Sequence, residues 1–143
     1  MRRRWLLALV ALLFVAGQRP ALACSCVPST KAQSVENATV IFTGVVTGGS
    51  RQFSFGIPCS VSSADPVTFS IDVETVYKGD VPKTTTVTTV VGGASCGYEF
   101  VGGKRYTVFA TASGGKIETN LCRGNVEGLI DPPAYGLGSG HAP

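Results

Sequence analysis

Val67-Thr68-Phe69-Ser70-Ile71-Asp72-Val73-Glu74 alternates apolar and polar residues without a break. Successive residues of a strand point to opposite faces. Period two therefore puts Val67, Phe69, Ile71 and Val73 on a core face and leaves Thr68, Ser70, Asp72 and Glu74 wet. The run extends to Tyr77, and Lys78-Gly79-Asp80 follows as a turn. This half-buried strand is the clearest signal in the chain.

The elements on either side of it follow suit. Upstream, residues 48–65 carry Gly, Ser, Pro and Cys59 and read as a long loop, and Val40 to Thr47 reads as a first strand. Ser29 to Asn37 is polar and free of Gly and Pro, so Ser29 or Thr30 caps a short helix there. Downstream, Thr84 to Val91 is loaded with β-branched residues and forms a third strand that Gly92-Gly93 breaks. Arg105 to Ala112 is a fourth, with Tyr106 and Val108 on one face and Phe109 on the other. Ser113-Gly114-Gly115 turns the chain into a fifth strand, Lys116 to Asn120. Residues 124–130 are expected to form one or two helical turns, and the Pro/Gly-rich tail 132–143 is expected to be disordered. There are no internal repeats. Five strands with an early long loop suit a small closed barrel better than a sandwich, because closure removes exposed edges.

The N-terminal residues place this domain in the cell. Arg2, Arg3 and Arg4 precede an uncharged apolar run from Trp5 to Gly17, and Ala21-Leu22-Ala23 fits the small-x-small pattern cut by signal peptidase. The run is shorter than the ~20 residues a membrane span needs. Residues 1–23 thus read as a signal peptide, 24–131 as the folded domain, and Cys24 as the first mature residue. Four of the twelve Lys and Arg residues, at 2, 3, 4 and 19, leave with the signal. Eight basic residues then face nine acidic ones, and no basic run remains to follow a phosphate backbone. Nucleic acid is not an expected partner.

The chemistry-bearing residues are few. The one histidine, His141, lies in the tail, so no serine or cysteine inside the fold can pair with it, and the carboxylates are scattered. An enzyme is not expected. Asn37-Ala38-Thr39 matches the glycosylation sequon, a pattern short enough to recur by chance. All five cysteines, 24, 26, 59, 96 and 122, lie after the signal, and export makes disulfides their default. Cys24-x-Cys26 has zinc-binding chemistry too, but export favours bridges over it, so no metal or cofactor of the chain's own is expected.

Residues two apart on an extended segment point the same way, so Cys24 and Cys26 send both sulfurs to one side and Ser25 to the other. If Cys96 and Cys122 receive them, an N-terminus at Cys24 becomes rigid and exposed. An α-amine has a reference pKa of about 7.7–8.0, so a useful fraction is neutral near neutral pH. With the carbonyl oxygen of its own residue it can close a five-membered chelate on a metal ion. A catalytic zinc keeps one position open for water, and such an N-terminus could occupy it.

Several motifs occur in a telling order: Cys24-Ser25-Cys26-Val27-Pro28 after the signal, Val76-Tyr77-Lys78-Gly79 closing the second strand, and Ser95-Cys96-Gly97-Tyr98. Glu99-Phe100-Val101 with Gly103-Lys104 comes next, and Cys122 follows the fifth strand. Over residues 24–125 the chain resembles the N-terminal, netrin-like domain of the tissue inhibitors of metalloproteinases. The resemblance implies an all-β fold, a five-stranded closed OB-fold barrel with short flanking helices. It implies bridges Cys24–Cys96 and Cys26–Cys122, the first closing a loop worth about 4 kcal/mol. It implies a secreted (extracellular or periplasmic) inhibitor of zinc metalloendopeptidases, of the metzincin type. In that family the amine and carbonyl of the first cysteine, here Cys24, ligate the target's zinc. Ser25 would point to the specificity pocket, Cys26, Val27 and Pro28 would continue along the cleft, and Ala94 and Ser95 would line the same ridge. The family's third bridge has no counterpart: Val35 stands near its first cysteine, no cysteine follows Cys122, and Cys59 is left unpaired. The second reading is a non-inhibitory netrin-like binding or structural module. Signal cleavage before a cysteine also occurs in lipoproteins. Acylating Cys24 would tie the chain to a membrane at the cell surface, abolish the amine's lone pair and leave an even number of cysteines.

Overall fold

The structure, a computed structural model, describes residues 24–27, 29–51, 65–90, 92 and 95–143. The signal segment, the loop 52–64 with Cys59, Pro28 and Ala94 lie outside the described residues.

Thr30 caps helix α1, Lys31–Asn37, through a capping box: its hydroxyl accepts from Gln33 N, and Gln33 Oε1 accepts from Thr30 N. Five strands then close a barrel: β1 Val40–Arg51, β2 Pro66–Lys78, β3 Thr84–Val90, β4 Arg105–Ser113 and β5 Lys116–Glu118. Their order around the barrel is β1-β2-β3-β5-β4, and β4 returns to β1. This is the strand order of an OB-fold. All pairings are antiparallel except β3–β5, which spans only Val87↔Ile117 and Thr88↔Glu118.

Every strand of the closed barrel pairs with two neighbours, and the β1–β4 pairing is the one that seals it. The pairing of β1 with β2 shifts register between Ile41 and Phe42, Thr43 and Gly44, and Val46 and Gly48. Bulges of this kind bend a strand and sharpen its twist. Gly44 sits at the bend because a Cβ there would lie 2.5 Å from the Asp72 carbonyl oxygen and 2.6 Å from Ile71 Cγ2.

The barrel interior holds Val40, Phe42, Val46, Ile71, Val73, Val76, Val87, Tyr106, Val108, Ala110 and Ile117, with Val81 and Phe100 added from connections. Each such side chain taken out of water contributes about 1.5–3 kcal/mol. Phe100 lies edge-on to Phe69 and to Tyr106, at 5.1 and 5.0 Å between centroids, and so plugs one end. The alternate face of β1 and β4 is buried as well. Ile41, Phe109 and Ala38 form a second, outer cluster with Val35, Tyr77, Ile130, Tyr135 and Leu137.

That outer cluster corrects two expectations about the C-terminal part. Residues 124–130 do not form helical turns. Gly124 and Gly128 have φ of 89° and 93°, and between them Val126–Glu127, β6, pairs with Thr107 and Tyr106 of β4. Thr107 Oγ1, facing Thr43 Oγ1 at 3.1 Å, donates to Gly128 O at 2.9 Å and fixes the end of this segment. Residues 132–143 are not a disordered tail. A 3-10 turn, Pro132–Tyr135, lays Tyr135 against Phe109 with centroids 5.6 Å apart. His141 then exchanges both backbone hydrogen bonds with Val76 at 2.9 Å. The apolar residues Tyr135 and Leu137 outweigh a Pro/Gly-rich composition. The fifth strand also stops at Glu118, two residues short of expectation: Thr119 N still donates to Thr88 O, but Asn120 turns its Oδ1 to Cys122 N as the cap of the next turn.

Candidate functional site

The segment 24–27 runs along the outside of the barrel with an alternating pattern. Cys24 and Cys26 are half-buried, while Ser25 and Val27 are exposed, Val27 to 86%. Two disulfides hold it. Cys24 is bridged to Cys96 and Cys26 to Cys122, each with a Cα–Cα distance of 5.2 Å, inside the usual range for a bridge. Among the described residues, Cys24 to Val27 make no backbone hydrogen bond to the barrel. The two bridges fix this segment to the loops of Cys96 and Cys122.

The two receiving cysteines sit on loops built for them. Cys96 follows β3 with φ of 61°, the one non-glycine residue with positive φ among those described. Such a conformation costs about 1–3 kcal/mol and needs support. Gly97 N donates to Gly92 O at 3.0 Å, and Tyr98 N to Thr89 Oγ1 at 3.0 Å. Gly97 is glycine because a Cβ would collide with the Val90 carbonyl. Cys122 lies in a 3-10 turn, Leu121–Arg123, whose cap Asn120 accepts from Cys122 N at 3.0 Å. Gly124 ends the turn in the left-handed region and abuts Ser34 Oγ of α1. The loops are joined to each other directly, since Leu121 N donates to Cys96 O at 2.8 Å.

The outcome is a ridge. Ser25 and Val27 project from it, Ser95 lies beside Cys96, and Leu121, 43% exposed, stands next to Cys122. Neither Leu121 nor Asn120 stands out in the sequence, where the one local signal is an Asn two residues before Cys122 in a capping position. A groove of ≈ 410 Å³ opens alongside, bounded by Thr88, Ser95, Cys96, Glu118, Asn120 and Arg123. It follows the short β3–β5 pairing. Arg123 Nη1 is committed to Asn37 O at 2.7 Å.

The titratable groups with displaced pKa values lie elsewhere. Glu74 is held below its usual 4.5 by the hydrogen bonds and charge of Arg105. The Tyr98 hydroxyl is pushed up by burial and by Tyr106 and Glu127. The ridge presents Ser25, Val27, Ser95 and Leu121 beside the two disulfides.

No family model and no curated protein sequence matches the chain. Among the described residues no helix is long and apolar enough to cross a membrane.

Proposed function

We propose that this chain is a secreted inhibitor of zinc metalloendopeptidases, of the metzincin type, acting through a free N-terminus at Cys24. The observation that carries the reading is the double anchoring of one short segment, Cys24 to Cys96 and Cys26 to Cys122, with Ser25 and Val27 left exposed between and beyond the bridges. A segment already fixed in its bound shape loses little freedom on docking. The neutral amine and carbonyl oxygen of Cys24 chelate the target's zinc and take the place of its attacking water. Ser25 faces the specificity pocket, and Val27 and Pro28 follow the cleft. Ala94, Ser95 and Leu121 line the flank. The chain contributes no metal of its own to this complex.

A lipoprotein reading is less well supported. A thioether lipid on Cys24 Sγ excludes the bridge to Cys96, which would leave Cys96 without that partner.

The test compares the chain processed to Cys24 with a chain carrying one alanine before it. The extension turns the amine into an amide and removes the chelate. The processed chain is expected to inhibit a metzincin, and the extended one to bind at least about 100-fold more weakly, a loss of about 3 kcal/mol. Equal stability of the two chains in urea separates lost contact from lost fold. A processed chain with a free Cys24 amine and both bridges that inhibits no zinc endopeptidase refutes the reading.

A further inference from the structure

The two disulfides do not sit apart. The sulfurs of Cys24, Cys96 and Cys122 lie within 4.8 Å of one another, and Cys26 is bonded to Cys122. Three sulfurs thus share one small volume, and the fourth, on Cys26, is joined to it through its bond to Cys122. A tetrahedral zinc site with Zn–S bonds of about 2.3 Å places its sulfurs about 3.8 Å apart. Opening each bridge and separating its sulfurs by less than about 2 Å reaches that spacing. We propose that the four cysteines, once reduced, form a single four-thiolate site for a thiophilic cation of the zinc(II) type.

The backbone favours this independently of the sulfur–sulfur bonds. Cys96 and Cys122 belong to different loops, yet the hydrogen bond from Leu121 N to Cys96 O ties those loops together without any bridge. Asn120 Oδ1 holds Cys122 N, and Gly92 O holds Gly97 N. Reduction in the folded chain therefore leaves these two cysteines side by side. The other two arrive as a pair, on one side of a Cys-x-Cys segment that makes no backbone hydrogen bond to the barrel among the described residues. That segment is free to settle its thiolates around an ion. Cys122 is exposed, which gives the ion a path in.

The chemistry closes without a hidden reactant. A dithiol reductant gives each bridge two electrons and two protons and leaves as its own disulfide. Zinc(II) then displaces the four thiol protons to solvent as the thiolates bind. The site requires no particular N-terminus and does not rest on the inhibitor reading.

The test uses the full chain carrying Cys59→Ser, reduced and kept anaerobic, with cobalt(II) as the probe. Cobalt is expected to produce thiolate charge-transfer absorption and strong tetrahedral visible bands that saturate at one ion per chain and vanish on adding zinc(II). Cys26→Ser and Cys122→Ser are each expected to weaken binding by about 100-fold. The oxidised chain should show none of these bands. If the reduced chain is unfolded before metal is added, recovery of the far-UV signal of the barrel with one equivalent of zinc(II) supports the site through coupled folding. Octahedral spectra alone, saturation at half an ion per chain, or serine variants that bind as tightly as the parent overturn it.

Discussion

Replacing Cys26 and Cys122 together by alanine, in a chain that also carries Cys59→Ala, removes one bridge and leaves Cys24–Cys96 in place. The sequence separation of 96 residues overstates what is lost. With Cys24–Cys96 closed, the unfolded chain already joins residues 26 and 122 by a shorter route. That route runs two residues back to Cys24, across its bridge, and on from Cys96 to Cys122, a loop of about 28 residues. Closing such a loop is worth about 3.6 kcal/mol at 25 °C, against about 4.7 kcal/mol had no other bridge existed. Removing Cys24–Cys96 instead opens the same loop of about 28 residues. The two single removals should therefore cost the same, although the bridges differ in separation, 72 against 96. Removing both should cost about 8 kcal/mol, which exceeds the sum of the single effects by about 1 kcal/mol. Total stabilities are commonly about 5–15 kcal/mol, so the bridge-free chain stands near its unfolding threshold. Urea titrations at 25 °C, followed by far-UV circular dichroism, measure all four stabilities, and the slope should steepen as cross-links are removed and the unfolded state expands. Single removals that differ by more than about 2 kcal/mol, or a double effect smaller than their sum, would refute the shared-loop argument.

Other expectations follow from single contacts. Gly97→Ala drives a Cβ into the Val90 carbonyl and should destabilise by about 2–3 kcal/mol, read as a shifted urea midpoint, because backbone rather than a flexible side chain must yield. Asn125→Ala strips the Oδ1 that accepts from Phe109 N at 2.8 Å and should cost about 1–3 kcal/mol; Asn125→Asp, which keeps the acceptor but loses the donor to Thr119 Oγ1 and Asn120 O, should fall between. Glu74→Gln tests linkage to pH. The folded pKa of Glu74 lies below its usual 4.5, so its ion pair with Arg105 adds stability above about that pH and loses it as pH falls through the folded value. Both side chains are more than a third exposed, so the difference between parent and variant at pH 7 should stay under about 1 kcal/mol and vanish in acid or high salt.

Much of the barrel is legible in the sequence because its strands are half-buried and their periodicity survives. The alternation from Val67 to Val73 and the split of Tyr106 and Val108 from Phe109 both reappear as inside and outside faces. Less legible is whatever depends on distant partners. Val126 and Glu127 make a strand only because β4 offers Tyr106 and Thr107 as neighbours. Tyr135 and Leu137 settle only because Phe109 and Ile41 present a second apolar face. An outward-facing Phe on β4 was the one hint that something covers it. Register shifts in β1 carry no composition signal beyond Gly44 and Gly48. At the ridge, the spacing Cys24-x-Cys26 and the alternation of its exposure could be anticipated locally. The support for Cys96, a left-handed residue held between Gly92 and Leu121, could not.

The return of β4 to β1 has a consequence for how the molecule comes into being. Val40 pairs with Ala110, and Val45 with Arg105, so β1 meets its second neighbour only across 60 to 70 residues of chain. During synthesis at about 5–20 residues per second, β1 emerges several seconds before β4 does. Meanwhile β1, β2 and β3 can pair as an open meander, but its far edges have no partners and its core face is unsealed. Both bridges also wait, since Cys96 and Cys122 come late. A chain with this topology cannot close its barrel until nearly all of it has appeared.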